Sequence, residues 1–339
     1  MSESILSLWN NFLLNETSSN QKSPLSHQAH LQALSSNYIV VDLSDRSLIK
    51  LSGTDAFDFL QGQVTNDVKL LMGGKSQFSG YCNPKGRLLA LFFAFAVSEE
   101  IYLSFNQKLL EPILKRLKMY VLRSKVQITE ASEFIQMGVA GFAAENKLIS
   151  LFSNIPQNAH EVVQHSDVTL MRLPSATPMF VMMSHLEKAT DIWQKLANVE
   201  TVATSTVWDW LEIQAGIPDI SPETQEDFVP QMLNLDALGG INYKKGCYTG
   251  QEIVARTHYL GKVKRRTQLA HIDSTTSPYA GNVIKDSANQ EVGEIVRVSP
   301  ALNNGFDVLT ECRLESLAEG SIFWNEHPLT IKPLPYLID

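Results

Sequence analysis

Apolar and polar positions along this chain repeat with different periods in different stretches, and the periods predict its elements. Ile5, Leu8, Trp9, Phe12 and Leu13 recur at helical spacing and predict a short N-terminal helix. Residues 15–37 are rich in Ser, Asn, Gln and Thr and contain Pro24, so they read as a linker, with ordered structure beginning at Tyr38. Tyr38–Asp42 and Leu48–Leu51 read as strands. Ser52-Gly53-Thr54-Asp55 follows as a turn and helix cap before Ala56, Phe57, Phe59 and Leu60. Strand-like runs, Ser79–Asn83 and Arg87–Val97, flank the turn Asn83-Pro84-Lys85-Gly86. The apolar run from Leu88 to Val97 is about half of what a membrane span requires and fits a buried strand. Leu109, Ile113, Leu117 and Tyr120 then return to helical spacing.

Strands near Gln136–Ala140, Val168–Leu173 and Phe180–Met183 alternate with helices near 141–152 and 185–197. A helix over Thr204–Ala215 is stopped by Gly216 and Pro218. From Thr267 onward the pattern shortens to six runs: Gln268–Ile272, Val283–Lys285, Val292–Val298, Phe306–Thr310, Ser321–Trp324 and Leu329–Lys332. Glycine and asparagine turns separate them, which predicts a small β-barrel or sandwich. The fold class is therefore α+β.

Composition narrows the choice of function. With 339 residues, 44% hydrophobic and 19% charged, the chain has the makings of two or three cored domains and is neither disordered nor fibrous. The N-terminus lacks the basic start and unbroken apolar run of a signal peptide, so a cytoplasmic location is expected. Three scattered cysteines, Cys82, Cys247 and Cys312, rule out a disulfide framework and a self-contained Cys-based metal site.

Chemistry concentrates in two segments. In Asn242-Tyr243-Lys244-Lys245-Gly246-Cys247-Tyr248-Thr249-Gly250-Gln251-Glu252, glycines flank a cysteine preceded by two lysines. Nearby ammonium groups would favour the thiolate. The structural alternative makes Cys247 a small buried side chain. Lys244, Lys245, Arg256, Lys262, Lys264, Arg265 and Arg266 fall within 23 residues whose one acid is Glu252. The formal charge of −8 thus divides into a +6 strip and a −14 remainder. The strip suits a polyanion, or else is a solvated linker. In the predicted helix over 204–215, Trp208 and Trp210 are two residues apart, so one faces the core with Leu211 and the other is free to stack on a flat ligand.

Together these segments resemble the YgfZ family, whose parent group includes the T-protein aminomethyltransferase of the glycine cleavage system. Lys245-Gly246-Cys247-Tyr248-Thr249-Gly250-Gln251-Glu252 matches its K-G-C-Y-x-G-Q-E signature in full. The run Ile49 to Val68 and the segment Leu235 to Ile241 are also similar to it. The resemblance runs from about residue 38 to Tyr336. It implies T-protein-like subdomains around a central cleft, here 38–130 with 204–257, a second α+β subdomain at 131–203, a C-terminal β-barrel at 258–335, and an extension at 1–37. It further implies tetrahydrofolate or a derivative as cofactor, with Trp208 stacking on the folate and Cys247 as a reactive thiol. Arg46 stands where relatives can carry a second folate-contacting tryptophan, and Gln214 replaces a folate-binding glutamate. No carboxylate follows Gly86, where T-proteins carry an aspartate, which argues against glycine-cleavage chemistry.

Three functions stay open at this point. The resemblance implies a folate-binding accessory factor for tRNA modification and for iron–sulfur enzymes, tRNA-thiolating ones included. A single cysteine would need a partner's ligands to hold a cluster. The alternatives are a folate-dependent one-carbon transferase or demethylase, and a tRNA-binding module that uses the basic strip at 244–266.

Overall fold

The computed structural model describes residues 4–19 and 25–338. The chain opens with helices α1 (Ile5–Ser19) and α2 (His27–Ala33), followed by β1 (Ile39–Asp42), β2 (Arg46–Ser52) and α3 (Ala56–Gln61). Next come β3 (Gln77–Cys82), β4 (Leu88–Val97), β5 (Glu100–Asn106), α4 (Leu110–Met119) and β6 (Gln127–Glu130). The middle of the chain forms β7 (Phe134–Ala140), α5 (Ala144–Ile149), β8 (Val162–Gln164), β9 (Val168–Arg172), β10 (Met179–His185), α6 (Leu186–Leu196) and β11 (Val202–Ala203). Then follow α7 (Ser205–Gln214), α8 (Gln251–Tyr259), β12 (Arg265–Ile272), β13 (Val283–Asp286), β14 (Glu291–Pro300), β15 (Phe306–Arg313), α9 (Leu314–Glu319), β16 (Ile322–Trp324) and β17 (His327–Lys332).

Three sheets form among the described residues. One has the order β3-β4-β5-β2-β6, a second the order β11-β1-β7-β10-β9-β8, and the third is a closed barrel, β12-β15-β14-β13-β16-β17. The six alternating runs at the C-terminal end thus become the six barrel strands, and closure leaves no free edge. β4 is buried at nine of its ten positions, which explains why its sequence is apolar without alternation. β1 and β2 are consecutive in sequence but belong to different sheets, so the Arg46 end of β2 lies where the two sheets meet. Around it one core extends from the first sheet across α7 to Leu269, Val296 and Leu309 of the barrel.

The linker expected over 15–37 is corrected by this fold, apart from residues 20–24, which include Pro24 and lie outside the described residues. α1 continues to Ser19, and α2 begins at His27 with Ser26 as its cap. Their polar composition is that of helices anchored by a few apolar side chains. Trp9 is fully buried, packs edge-on against Trp193 at 5.5 Å and donates from Nε1 to Asp42 Oδ1 at 2.9 Å. Leu31 and Leu34 enter the main core beside α7, and Leu8 turns outward.

Candidate functional site

Helix α7 carries the central cleft on one face. Trp208 and Glu212 are one turn apart and so point the same way. The indole is buried against Gly138 of β7, where a Cβ would stand 2.5 Å from the ring; only glycine admits it. Phe78, Leu91 and Phe93 from β3 and β4 form the opposite wall, and Arg46, Glu212 and Asp219 supply the charge. The cleft is narrow, with a cavity volume of about 30 Å³, roughly the space of one water.

Its electrostatics centre on Glu212. Burial alone would raise this carboxyl, but Arg46 and Arg297 beside it outweigh burial and hold it below the usual glutamate range. Arg46 pairs with Glu212 Oε2, and Arg297 Nη1 donates to the same oxygen at 2.7 Å. The second guanidinium nitrogen of Arg297 donates to Asp209 at 2.6 Å. Arg297 belongs to the barrel: the register of β14 against β15 shifts between Ile295 and Arg297, and such a bulge re-aims the side chain that follows it. Asp219 differs from Glu212, because burial raises its carboxyl by more than Arg46 and Arg297 lower it.

Arg46 and Trp208, two of the residues expected to bind folate, thus meet in this cleft. Gln214 does not join them. Its amide lies on another face of α7 and donates to Asp307 Oδ2 at 3.0 Å. The same oxygen accepts from Trp210 Nε1 at 2.9 Å, so of the two tryptophans Trp210 is tied to the barrel and Trp208 lines the cleft. Lys332 Nζ and His271 Nδ1 sit 2.7 and 2.9 Å from the other oxygen of Asp307. Glu212 was absent from the expected site, although its i+4 spacing from Trp208 would have found it.

The cysteine signature forms a pinned loop leading into α8. Lys245 is buried, and its ammonium donates to the carbonyls of Gln61, Val64 and Asn66 at 2.7, 2.6 and 2.8 Å. Burial lowers its pKa to about 8 against the opposing pull of Asp67. Tyr248 is buried too, with the Lys245 nitrogen 5.1 Å from its ring centre. Gly250 has φ +84°, and a Cβ there would lie 2.6 Å from the Asn83 carbonyl oxygen, so the loop end requires glycine. Gln251 and Glu252 open α8, the acid favourably placed in the first turn. A Cβ added at Gly246 would meet nothing within 4 Å, so the loop is open there, and Cys247 is exposed. The structural alternative of a small buried side chain therefore belongs to Cys82 and Cys312, whose thiols burial pushes up to about 12.

Burial also divides the basic strip. Besides Lys245, Arg265 pairs bidentately with the buried Glu311, and buried Arg266 donates to Asp236 and to the Gln231 carbonyl. Lys244, Arg256, Lys262 and Lys264 are exposed. None of the signature residues lines the cleft. The two regions share the β3–β4 hairpin: Phe78, Leu91 and Phe93 face the cleft, while the turn containing Gly86 packs against Gly250 and Ile253.

No helix among the described residues is long and apolar enough to cross a membrane. Nor is any group of three or more His, Cys, Asp or Glu among them placed to hold a metal ion.

Comparison with known proteins adds to this geometry. A family model described as the GCVT N-terminal domain matches residues 11–235. The tRNA-modifying protein YgfZ of Yersinia enterocolitica is 31% identical over 327 residues, covering 93% of this chain and 97% of its own. Its Escherichia coli O157:H7 counterpart is 32% identical over 88% of this chain and 94% of its own. That of Hamiltonella defensa is 36% identical over 72% and 73%. Among solved structures, the glycine cleavage system aminomethyltransferase T of Bartonella henselae superposes with a TM-score of 0.76 at 17% identity, covering 93% of this chain and 90% of that one. That likeness establishes the T-protein fold.

Proposed function

The chain belongs to the YgfZ family of tRNA-modifying proteins, and from that premise we propose that it is a folate-binding accessory factor. In this reading it holds a tetrahydrofolate in the central cleft and offers Cys247 to a partner iron–sulfur enzyme of tRNA modification, such as a tRNA-thiolating one. The observation that carries the reading is the convergence of flat apolar walls, Trp208 and Phe93, on a buried ionised carboxylate, Glu212. The chemistry of the lining fits a reduced pterin, which would enter as the narrow cleft opens. Its ring would lie against the walls, an N–H donor suits Glu212 Oε1, the oxygen to which neither Arg46 nor Arg297 donates, and Arg46 can pair with a ligand carboxylate. When bound, the folate would supply a one-carbon carrier, and this chain's part is to bind, orient and shield it. Cys247 lies on a separate surface, which fits presentation to a partner better than direct reaction with the ligand.

Titration of tryptophan fluorescence with tetrahydrofolate tests the proposal. Saturable quenching is expected in the wild type, with at least tenfold weaker binding in Glu212→Gln and Trp208→Phe. Equal affinities in all three would remove these residues from the site, and absence of binding would overturn the reading.

A second reading, folate-dependent one-carbon transfer, draws on Asp219, a cleft carboxyl raised by burial and able to carry a proton. Formaldehyde release from methylated amines would support it. A protein that binds folate but turns over none of a broad amine panel would leave the accessory role standing.

A further inference from the structure

α8 and the loop after it present a surface that the cleft does not use. Tyr259 is 63% exposed and Leu260 85% exposed, at the end of a helix whose one buried residue is Val254. Beside them the rings of Tyr243 and His258 stack at 3.7 Å and 10°, with Tyr259 edge-on to His258 at 4.7 Å. Within six residues of these rings along the chain come Lys244, Arg256, Lys262 and Lys264, the four cations of the strip that remain exposed. Glu252 is the acid of this segment, and the neighbouring Asp236 is paired to Arg266.

We infer that this surface docks an unpaired stretch of RNA, with bases stacked on Tyr259 and phosphates following the four cations. The inference does not rest on the folate reading, since none of these residues lines the cleft. Two features favour a nucleic acid over an acidic protein. Lysines are depleted from protein–protein interface cores, yet three of the four cations here are lysines. An exposed aromatic ring set among point cations is the arrangement that holds single strands, because every base offers a π-face and every nucleotide a phosphate. The net positive surface on a chain of formal charge −8 also orients approach: an RNA is repelled elsewhere and drawn here.

The test is fluorescence anisotropy of a labelled unpaired 12-nucleotide RNA of mixed sequence, with the full chain, between 50 and 300 mM salt. A labelled poly-glutamate peptide serves as the competing polyanion. Wild-type binding should weaken with a log–log slope of about −2 to −3, as expected for three or four phosphates at ~0.7 each. Arg256→Gln/Lys262→Gln/Lys264→Gln should lose at least tenfold affinity at 50 mM salt and flatten the slope by about 2. Tyr259→Ala should lose about tenfold with the slope unchanged. These positions are exposed, so unfolding midpoints and folate titrations of the variants should match the wild type. No RNA binding at 50 mM salt would overturn the inference. So would poly-glutamate binding as tightly as RNA, or RNA affinity indifferent to Tyr259→Ala, either of which would mark an acidic-partner site.

Discussion

Lys245 and Cys247 are two residues apart and face opposite media. The ammonium is enclosed by three backbone carbonyls, and the thiol stands in solvent. The lysine in this signature therefore anchors the loop, and its charge is already committed to Gln61, Val64 and Asn66. The cysteine is held out on a base fixed by Lys245 before it and by Tyr248 and Gly250 after it.

Alkylation should distinguish the three cysteines. With iodoacetamide at pH 8 the folded protein should take up one adduct, at Cys247. Cys82 and Cys312 are buried, and their thiols are pushed up to about 12. Unfolding in guanidinium should raise the count to three. Mass spectrometry of the intact chain and its peptides reads both, and labelling of Cys82 or Cys312 in the folded state would contradict the burial.

Lys245→Met should destabilise the protein by about 3 kcal/mol in urea unfolding, because it leaves buried carbonyls without donors at ~1–3 kcal/mol each. Lys245→Arg should not restore stability, since a planar fork does not match three acceptors converging on one nitrogen.

Breaking the buried ion pairs of the cleft should cost more than removing them together. Glu212→Gln strands the guanidinium of Arg46 and one side of Arg297, and should cost about 3 kcal/mol. Arg46→Met/Glu212→Leu should recover the part of that loss due to Arg46, with Arg297 still held by Asp209, while abolishing folate binding. A double-mutant cycle by urea unfolding separates the terms, and an additive result would mean the pairs are uncoupled.

Stability should carry a pH signature from Glu294. Burial, then Asp227 and the cross-strand Glu311, raise its carboxyl to about 7, against Arg265 and Arg87. A carboxyl raised in the folded state contributes stability in full below its unfolded pKa, and that contribution is lost as pH rises through about 7. Glu294→Gln should therefore match the wild type at pH 4.5. At pH 8 it should be more stable by about 1 kcal/mol, a figure reduced for solvent screening at a half-buried position. Parallel urea titrations at the two pH values check this.

Elements whose hydrophobic period is strong were legible in the sequence. The barrel was visible because alternation and turn residues coincide at each of its strands, and β4 because a strand covered on both faces loses its polar positions. α1 and α2 were only partly legible, because polar helices pinned by Trp9, Leu31 and Leu34 have the composition of a linker. In the site, Trp208 followed from family likeness and Glu212 did not. The likeness directed attention to Gln214, whereas helix geometry places the residue four after Trp208 in the cleft. Charge counting identified the basic strip but not its division, because composition does not distinguish a lysine bound to carbonyls from one in water.

Arg297 carries a consequence for any attempt to reduce this protein to a smaller unit. The segment matched by the family model ends at residue 235, while the guanidinium that completes the cleft's charge balance arrives from β14, some sixty residues later. A fragment cut before the barrel would keep the tryptophan, the aromatic walls and the glutamate, and would lose that counter-ion. It would also leave the Trp210 and Gln214 donors without Asp307. The cleft is thus a joint product of distant parts of the chain: the N-terminal portion supplies its shape, and the barrel makes its buried acid tolerable.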